Sequence, residues 1–181
     1  MTRPSDVLDF WFAEGRDAQW FGGGPAFDDL VRQALSPAYT AARKAACEDW
    51  REMPNGCLAL CILFDQYPRN VFRGTARAFA DDPVALAVTR HALKRGFDTQ
   101  LGQRERMFLY LPLEHSEVLA DQDDCVRLFA GLDQQPDWLR YAEAHRDIIA
   151  RFGRFPHRNE ILGRDCTPEE EAFLKEPNSS F

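Results

Sequence analysis

Lysine is scarce in this chain: among 181 residues there are only three, Lys44, Lys94 and Lys175. Almost all positive charge is therefore guanidinium, a planar fork that pairs bidentately with carboxylate or phosphate. Long apolar runs are missing as well. No stretch approaches the ~20 residues that cross a bilayer, which excludes a transmembrane reading. The start, MTRPSDVLDFWF, has neither the basic opening nor the apolar run and small-residue site of a secretory signal, so the cytoplasm is the expected compartment, with no membrane partner. Cysteines number five, with no paired C-x-x-C motif; Cys57 and Cys61, one turn apart in CLALCILF, read as small buried hydrophobes. Nothing here calls for zinc. His91, His115, His145 and His157 with Glu114 and Glu117 supply ligand types, but no H-E-x-x-H or E-x-x-H pair sets two of them on one helical face, so no metal site is expected. G-x-S-x-G is absent, and FGGGP (21–25) lacks the lysine and hydroxyl residue of a phosphate-binding loop. No cofactor is expected. A net charge of −7 weighs against nucleic acid as a partner, because a phosphate-binding protein usually shows a basic surface.

Helical periodicity fills what remains. No alternating apolar and polar stretch flanked by hairpin turns occurs, so no sheet is expected. A first helix is expected over about 4–13, and a second over about 26–50 that Pro37 kinks or splits. The third, from Pro54, is apolar nearly all round, as a central helix is, and should stop before Pro68. Asp81 or Asp82, Pro83 and Gly96 bracket a fourth with the usual start and stop signals. A stretch over about 103–132 carries Pro112 and reads as two helices or one bent one. Another runs from Pro136 to Phe152, and TPEEEAFLKE opens with a capping box, Thr167 and Glu170. Short loops between helices make neighbours antiparallel, in a closed bundle or a stack of helical hairpins. The expectation is one all-α domain over 1–176, of seven to nine helices, with a loose tail over 177–181.

Polar chemistry interrupts these apolar faces at a few places. In the helix from Pro136, the stripe Trp138, Tyr141, Ala142, Ile148, Ile149 and Phe152 has His145 at its centre. A histidine there needs a partner or faces a pocket. In FLYLPLEHSE, Glu114, His115 and Glu117 follow a buried face, where an unpaired carboxylate would cost several kcal/mol, so arginines must be near. The third helix runs into Asp65, Gln66, Arg69, Asn70 and Arg73. RFGRFPHRN supplies Arg151, Arg154, His157, Arg158 and Asn159. QYPRN (66–70) and RFPHRN (154–159) share an order of aromatic, proline, arginine and asparagine, which is either a common way to end a helix or two turns lining one cavity. Between 140 and 164 lie six arginines against three acids, a local reversal of the overall charge.

VLDFWF, LFDQYPRNVFRGTARAFADDPVAL, FLYLPLEHSE and YAEAHRDIIARFGRFPHRNEILGR together resemble the uncharacterised bacterial family catalogued as domain of unknown function 924, placed among the TPR-like helical folds. The resemblance spans about 7–174. It implies an all-α, TPR-like stack of antiparallel helical hairpins, and it implies no reaction, cofactor or partner. Its hallmark motifs coincide with the polar islands above.

Three readings stay open. In the first, Asp65, Arg69, Asn70, Arg73, Glu117, Arg151, Arg154, His157, Arg158 and Asn159 line a pocket for a small anionic molecule, a phosphate ester or carboxylate. A catalytic version makes His145 the general acid or base, oriented by Glu114 with His115 beside it. In the second, a groove binds an acidic peptide. In the third, the charges form a buried network that only fixes packing.

Overall fold

A computed structural model describes residues 2–132, 136–177 and 179–180. Among the described residues every regular element is helical and no strand occurs. No helix among them is long and apolar enough to cross a membrane. The expected tail falls partly outside the described residues.

Backbone contacts divide the chain into two compact units, one comprising the residues up to Arg73 with Arg77–Pro112, the other Gly74–Ala76 with the chain from Leu113 onward. The first unit contains α1 (Pro4–Trp11), α2 (Gly24–Arg43), α3 (Pro54–Cys61), α4 (Tyr67–Val71) and α5 (Asp82–Lys94). In α6 (Gln103–Glu114) the division falls after Pro112. The second unit contains α7 (Leu119–Phe129), α8 (Pro136–Phe152) and the short α9 (Pro168–Phe173).

In the first unit α3 is central: Gly56 through Cys61 are all buried, and α3 packs against α1 and α5. That follows from a sequence with no polar face to turn outward. Gly56 is demanded by the closeness of the neighbouring turn, since a Cβ there would sit 2.0 Å from the Trp50 carbonyl oxygen. An aromatic group completes this core. Trp11 meets the ring of Phe108 edge-on at 5.5 Å, and Trp20 Nε1 donates to the Trp11 carbonyl at 2.9 Å.

Three expectations about prolines are corrected. The third helix does not stop before Pro68: a π turn over Ile62–Gln66 links α3 to α4. There the Tyr67 N–H reaches back five residues to the Ile62 carbonyl, which shifts the ladder by one residue just ahead of the proline. Pro68 then occupies a first-turn position, where a missing N–H costs nothing. Pro37 lies inside an unbroken α2, which ends at Arg43 rather than near Trp50. Beyond it Ala45 takes a left-handed conformation, φ 57°, and a 3-10 turn covers Glu48–Glu52. Pro112 lies inside α6, so the break expected there falls instead at residues 115–118.

The second unit is built on α7 packed against α8. Ile148, Ile149, Phe155 and Phe173 form its apolar core, with Phe152 packed against them. α9 starts as its sequence predicts. Thr167 Oγ1 accepts the Glu170 N–H at 3.2 Å, and Glu170 accepts the Thr167 N–H at 2.7 Å.

Candidate functional site

The polar islands fall into two sets, one in each unit. In the first unit Asp65 and Gln66 sit on the π turn, buried to 1% and 4% exposure, and Gln66 Nε2 donates to Asp65 Oδ2 at 2.7 Å. Arg69 Nη1 lies 3.0 Å from Asp65 Oδ1, and its fork takes both oxygens of Asp82 at 2.7 and 3.0 Å. Arg73 takes Asp28 bidentately, at 2.8 and 2.9 Å. Asn70 donates to the Gln66 carbonyl at 2.8 Å. These guanidinium forks are engaged by carboxylates of their own unit, the strong bidentate arrangement.

The second set gathers where the end of α6, the end of α8 and the turn between α8 and α9 meet, all within the second unit. Gly153, at φ 69°, ends α8, and the chain continues through Arg154 and Phe155 into a 3-10 turn, Pro156–Arg158. Arg164 binds Glu117 with both terminal nitrogens, at 2.7 and 2.9 Å, and its Nε donates to Asn159 Oδ1 at 2.9 Å. Glu117 also accepts the Phe155 N–H at 2.8 Å. Burial of the Glu117 carboxyl opposes ionisation, but the Arg164 fork and this N–H outweigh it and hold the group below its ordinary range. Arg154 makes a second fork, to Glu170 at 2.6 and 2.7 Å. That pairing, aided by the Thr167 N–H, pulls the Glu170 carboxyl down to about 2. Arg151 meets Glu169 at the surface, 3.0 Å apart.

The imidazoles are arranged differently. His145, 5% exposed, places Nδ1 2.8 Å from the Tyr141 carbonyl and 3.5 Å from Glu114 Oε1. A carbonyl can only accept, so Nδ1 carries the proton and Nε2 the lone pair of the neutral ring. Burial pushes the His145 imidazole down to about 3; the Tyr141 bond opposes this, while His115, Arg158 and His157 add a positive field. Burial likewise pushes His157 down to about 4, with Arg158 and His115 reinforcing it and Glu117 opposing. Phe155, fully buried, is the common platform. The rings of His145 and His157 each lie 5.6 Å from it, and the Arg158 guanidinium stands over its face at 4.5 Å. Arg158 Nη1 donates to the His115 carbonyl at 3.1 Å, and the His115 ring is 6.3 Å from that of His145.

A family model for bacterial proteins of unknown function, DUF924, matches residues 7–178. The chain belongs to this family. A solved structure of a protein of unknown function from Agrobacterium tumefaciens is 42% identical to it, with a TM-score of 0.89 over 95% of this chain and 96% of that one. No curated protein matches.

This DUF924 chain thus brings Glu114 together with His145, His115 with Arg158, and Glu117 with the Phe155 backbone. Asp65, Arg69, Asn70 and Arg73 belong to the other unit. Sequence reasoning passed over the partners: Asp28 and Asp82 for the first set, Arg164, Glu170 and the Phe155 platform for the second. Glu170 reads from sequence only as a capping residue, yet it both caps α9 and holds Arg154. Among the described residues no group of three His, Cys, Asp or Glu is placed to hold a metal ion.

Proposed function

We propose that the second unit binds a small anion, a phosphate ester or carboxylate, at the centre formed by His115, His145, His157 and Arg158 around Phe155. The observation that carries this reading is the shared platform: two imidazoles and one guanidinium within 6 Å of one fully buried ring. Neutral imidazoles can each donate and accept, and a guanidinium on an apolar wall attracts negative charge more strongly than in water. Burial is the main cause of the depressed His145 and His157 imidazoles, and the Arg158 charge that adds to it is the one that favours an anion.

In this reading Arg69, Arg73, Arg151 and Arg154 leave the binding set and act as clamps, since each guanidinium charge is already matched by a carboxylate of the protein, and Asn159 leaves it as a partner of Arg164. A catalytic version uses His145 as a base through Nε2, because Nδ1 is committed to the Tyr141 carbonyl. A thermal-shift and calorimetric titration with inorganic phosphate, phosphorylated metabolites and dicarboxylates tests the proposal. A ligand present at a hundred times its dissociation constant should stabilise the fold by about 2.7 kcal/mol. A transition that no anion moves, beyond the shift given by chloride at equal ionic strength, would refute it.

A further inference from the structure

The turn that carries His115 follows the open carbonyl end of α6 and has one backbone hydrogen bond across it, from the Ser116 N–H to the Leu113 carbonyl at 3.1 Å. One side chain takes up that end. Gln122, on α7 and fully buried, points its Nε2 at three carbonyl oxygens, those of Leu113 (3.4 Å), Glu114 (2.6 Å) and Ser116 (2.7 Å). Three acceptors around one atom identify it as the amide nitrogen rather than the oxygen. The Oε1 atom is buried and accepts no hydrogen bond from any described residue, so the hydrogen bonding of this amide runs through its nitrogen. The two residues inside this grip lead directly to the anion centre. Glu114 sets its carboxylate 3.5 Å from His145 Nδ1, and the His115 carbonyl takes Arg158 Nη1. One residue further on, Ser116 Oγ bonds Asp121 at 2.6 Å and accepts the Val118 N–H at 3.2 Å, which leads the chain into α7.

We propose that Gln122 is the positioning residue of this centre: its single amide fixes the turn at 113–116, and through it the Glu114 carboxylate beside His145 and the His115 carbonyl that holds Arg158. The inference rests on the anion-binding reading for its functional meaning, and on the geometry alone for its structural part. Gln122 Nε2 bonds main-chain carbonyls, those of Leu113, Glu114 and Ser116, so the effect travels through backbone. Methionine at 122 would keep the volume and lose the donor. Glutamate would keep the donor only while protonated; a carboxyl facing three carbonyls in a buried site has its ionisation suppressed, so the contact persists at low pH and is lost at high pH.

The test uses the full chain as wild type, Gln122→Met and Gln122→Glu. Imidazole nitrogen shifts of His145 and His157 are followed by NMR against pH, alongside the dissociation constant for inorganic phosphate. Glu114, His115, Arg158, Glu117 and Arg164, and each of the two rings for the other, are the charged or titratable groups around these rings. In folded Gln122→Met the His145 midpoint should move up by at least one pH unit, and phosphate should bind ten-fold or more weakly. An unchanged His145 titration in a folded Gln122→Met protein would overturn the positioning role, whatever phosphate does. If wild type binds no phosphate while the His145 midpoint moves, the anion reading falls and the positioning stands. If Gln122→Met does not fold, Gln122→Glu decides: wild-type shifts at pH 6 that are lost at pH 9 support the role, and wild-type shifts at both pH values refute it.

Discussion

Arg164 and Glu117 meet fork to fork, both terminal guanidinium nitrogens on both carboxylate oxygens, and they do so beside the backbone N–H of Phe155, which the same carboxylate accepts. The pair therefore joins the turn after α6 to the turn after α8, the two segments that carry His115 and Arg158. Arg164→Ala would leave a partly buried carboxylate with one N–H donor and release Asn159 and the Phe155 carbonyl as well. Urea denaturation should show a loss of about 2 to 4 kcal/mol. Arg127→Ala, which breaks an exposed pair with Asp124, should change stability by less than about 1 kcal/mol.

Arg69 is the corresponding clamp of the first unit. Its removal in Arg69→Ala would take the guanidinium from Asp65, whose side chain is 1% exposed and keeps the Gln66 amide, and should cost about 3 to 5 kcal/mol in the same assay. A cost below about 1 kcal/mol would mean that the remaining partners of Asp65 hold it without the guanidinium.

Gly56 is a steric requirement. The methyl group of Gly56→Ala would fall 2.0 Å from the Trp50 oxygen, against backbone that cannot rotate away. Destabilisation by about 2 kcal/mol or more is expected, with α3 displaced from the Glu48–Glu52 turn. Equal midpoints for the two proteins in guanidinium would contradict this packing.

How much of this was legible beforehand differs between fold and site. The all-helical class follows from apolar spacing, and the capped start of α9 from Thr167, Pro168 and Glu170, because both signals are local. The continuation of α3 through Pro68 was not legible: it runs through a π turn over Ile62–Gln66, of which the residue pattern carries no mark. Glu114 and His145 were singled out by their places on apolar faces, and they do lie together. Their arginine neighbours were harder to sort, since Arg154, Arg158 and Arg164 are chemically alike in sequence. Only tertiary pairing assigns Glu170 to the first and Glu117 to the third. Gln122 gave no signal at all, being one amide between the aspartates of α7.

Acid should weaken the second unit in two steps. The folded-state midpoints of His145 and His157, about 3 and about 4, lie below the ordinary value of 6.5. Between those limits the unfolded chain binds protons that the folded chain refuses, so stability falls as pH drops below 6.5 and is fully present above it. His145 alone should contribute a slope of about 1.4 kcal/mol per pH unit, roughly 2 kcal/mol lost by pH 5. The Glu170 carboxylate, ionised down to about 2, adds a second loss as pH falls from 4.5 toward that value. Denaturation midpoints measured from pH 8 to 4 should decline for wild type and decline about half as steeply for His145→Gln between 6.5 and 5, because His157 keeps its own contribution. A wild-type profile level down to pH 5 would mean that the rings gain protons without penalty.

The most direct measurement is a phosphate titration at pH 7 followed through the imidazole nitrogens of the full chain. Saturable shifts at His115, His145 and His157 together, with His91 of the first unit unmoved and chloride without effect, are the expected result. No shift at any of the three up to high millimolar phosphate, or equal shifts at all four histidines, would contradict an anion centre around Phe155.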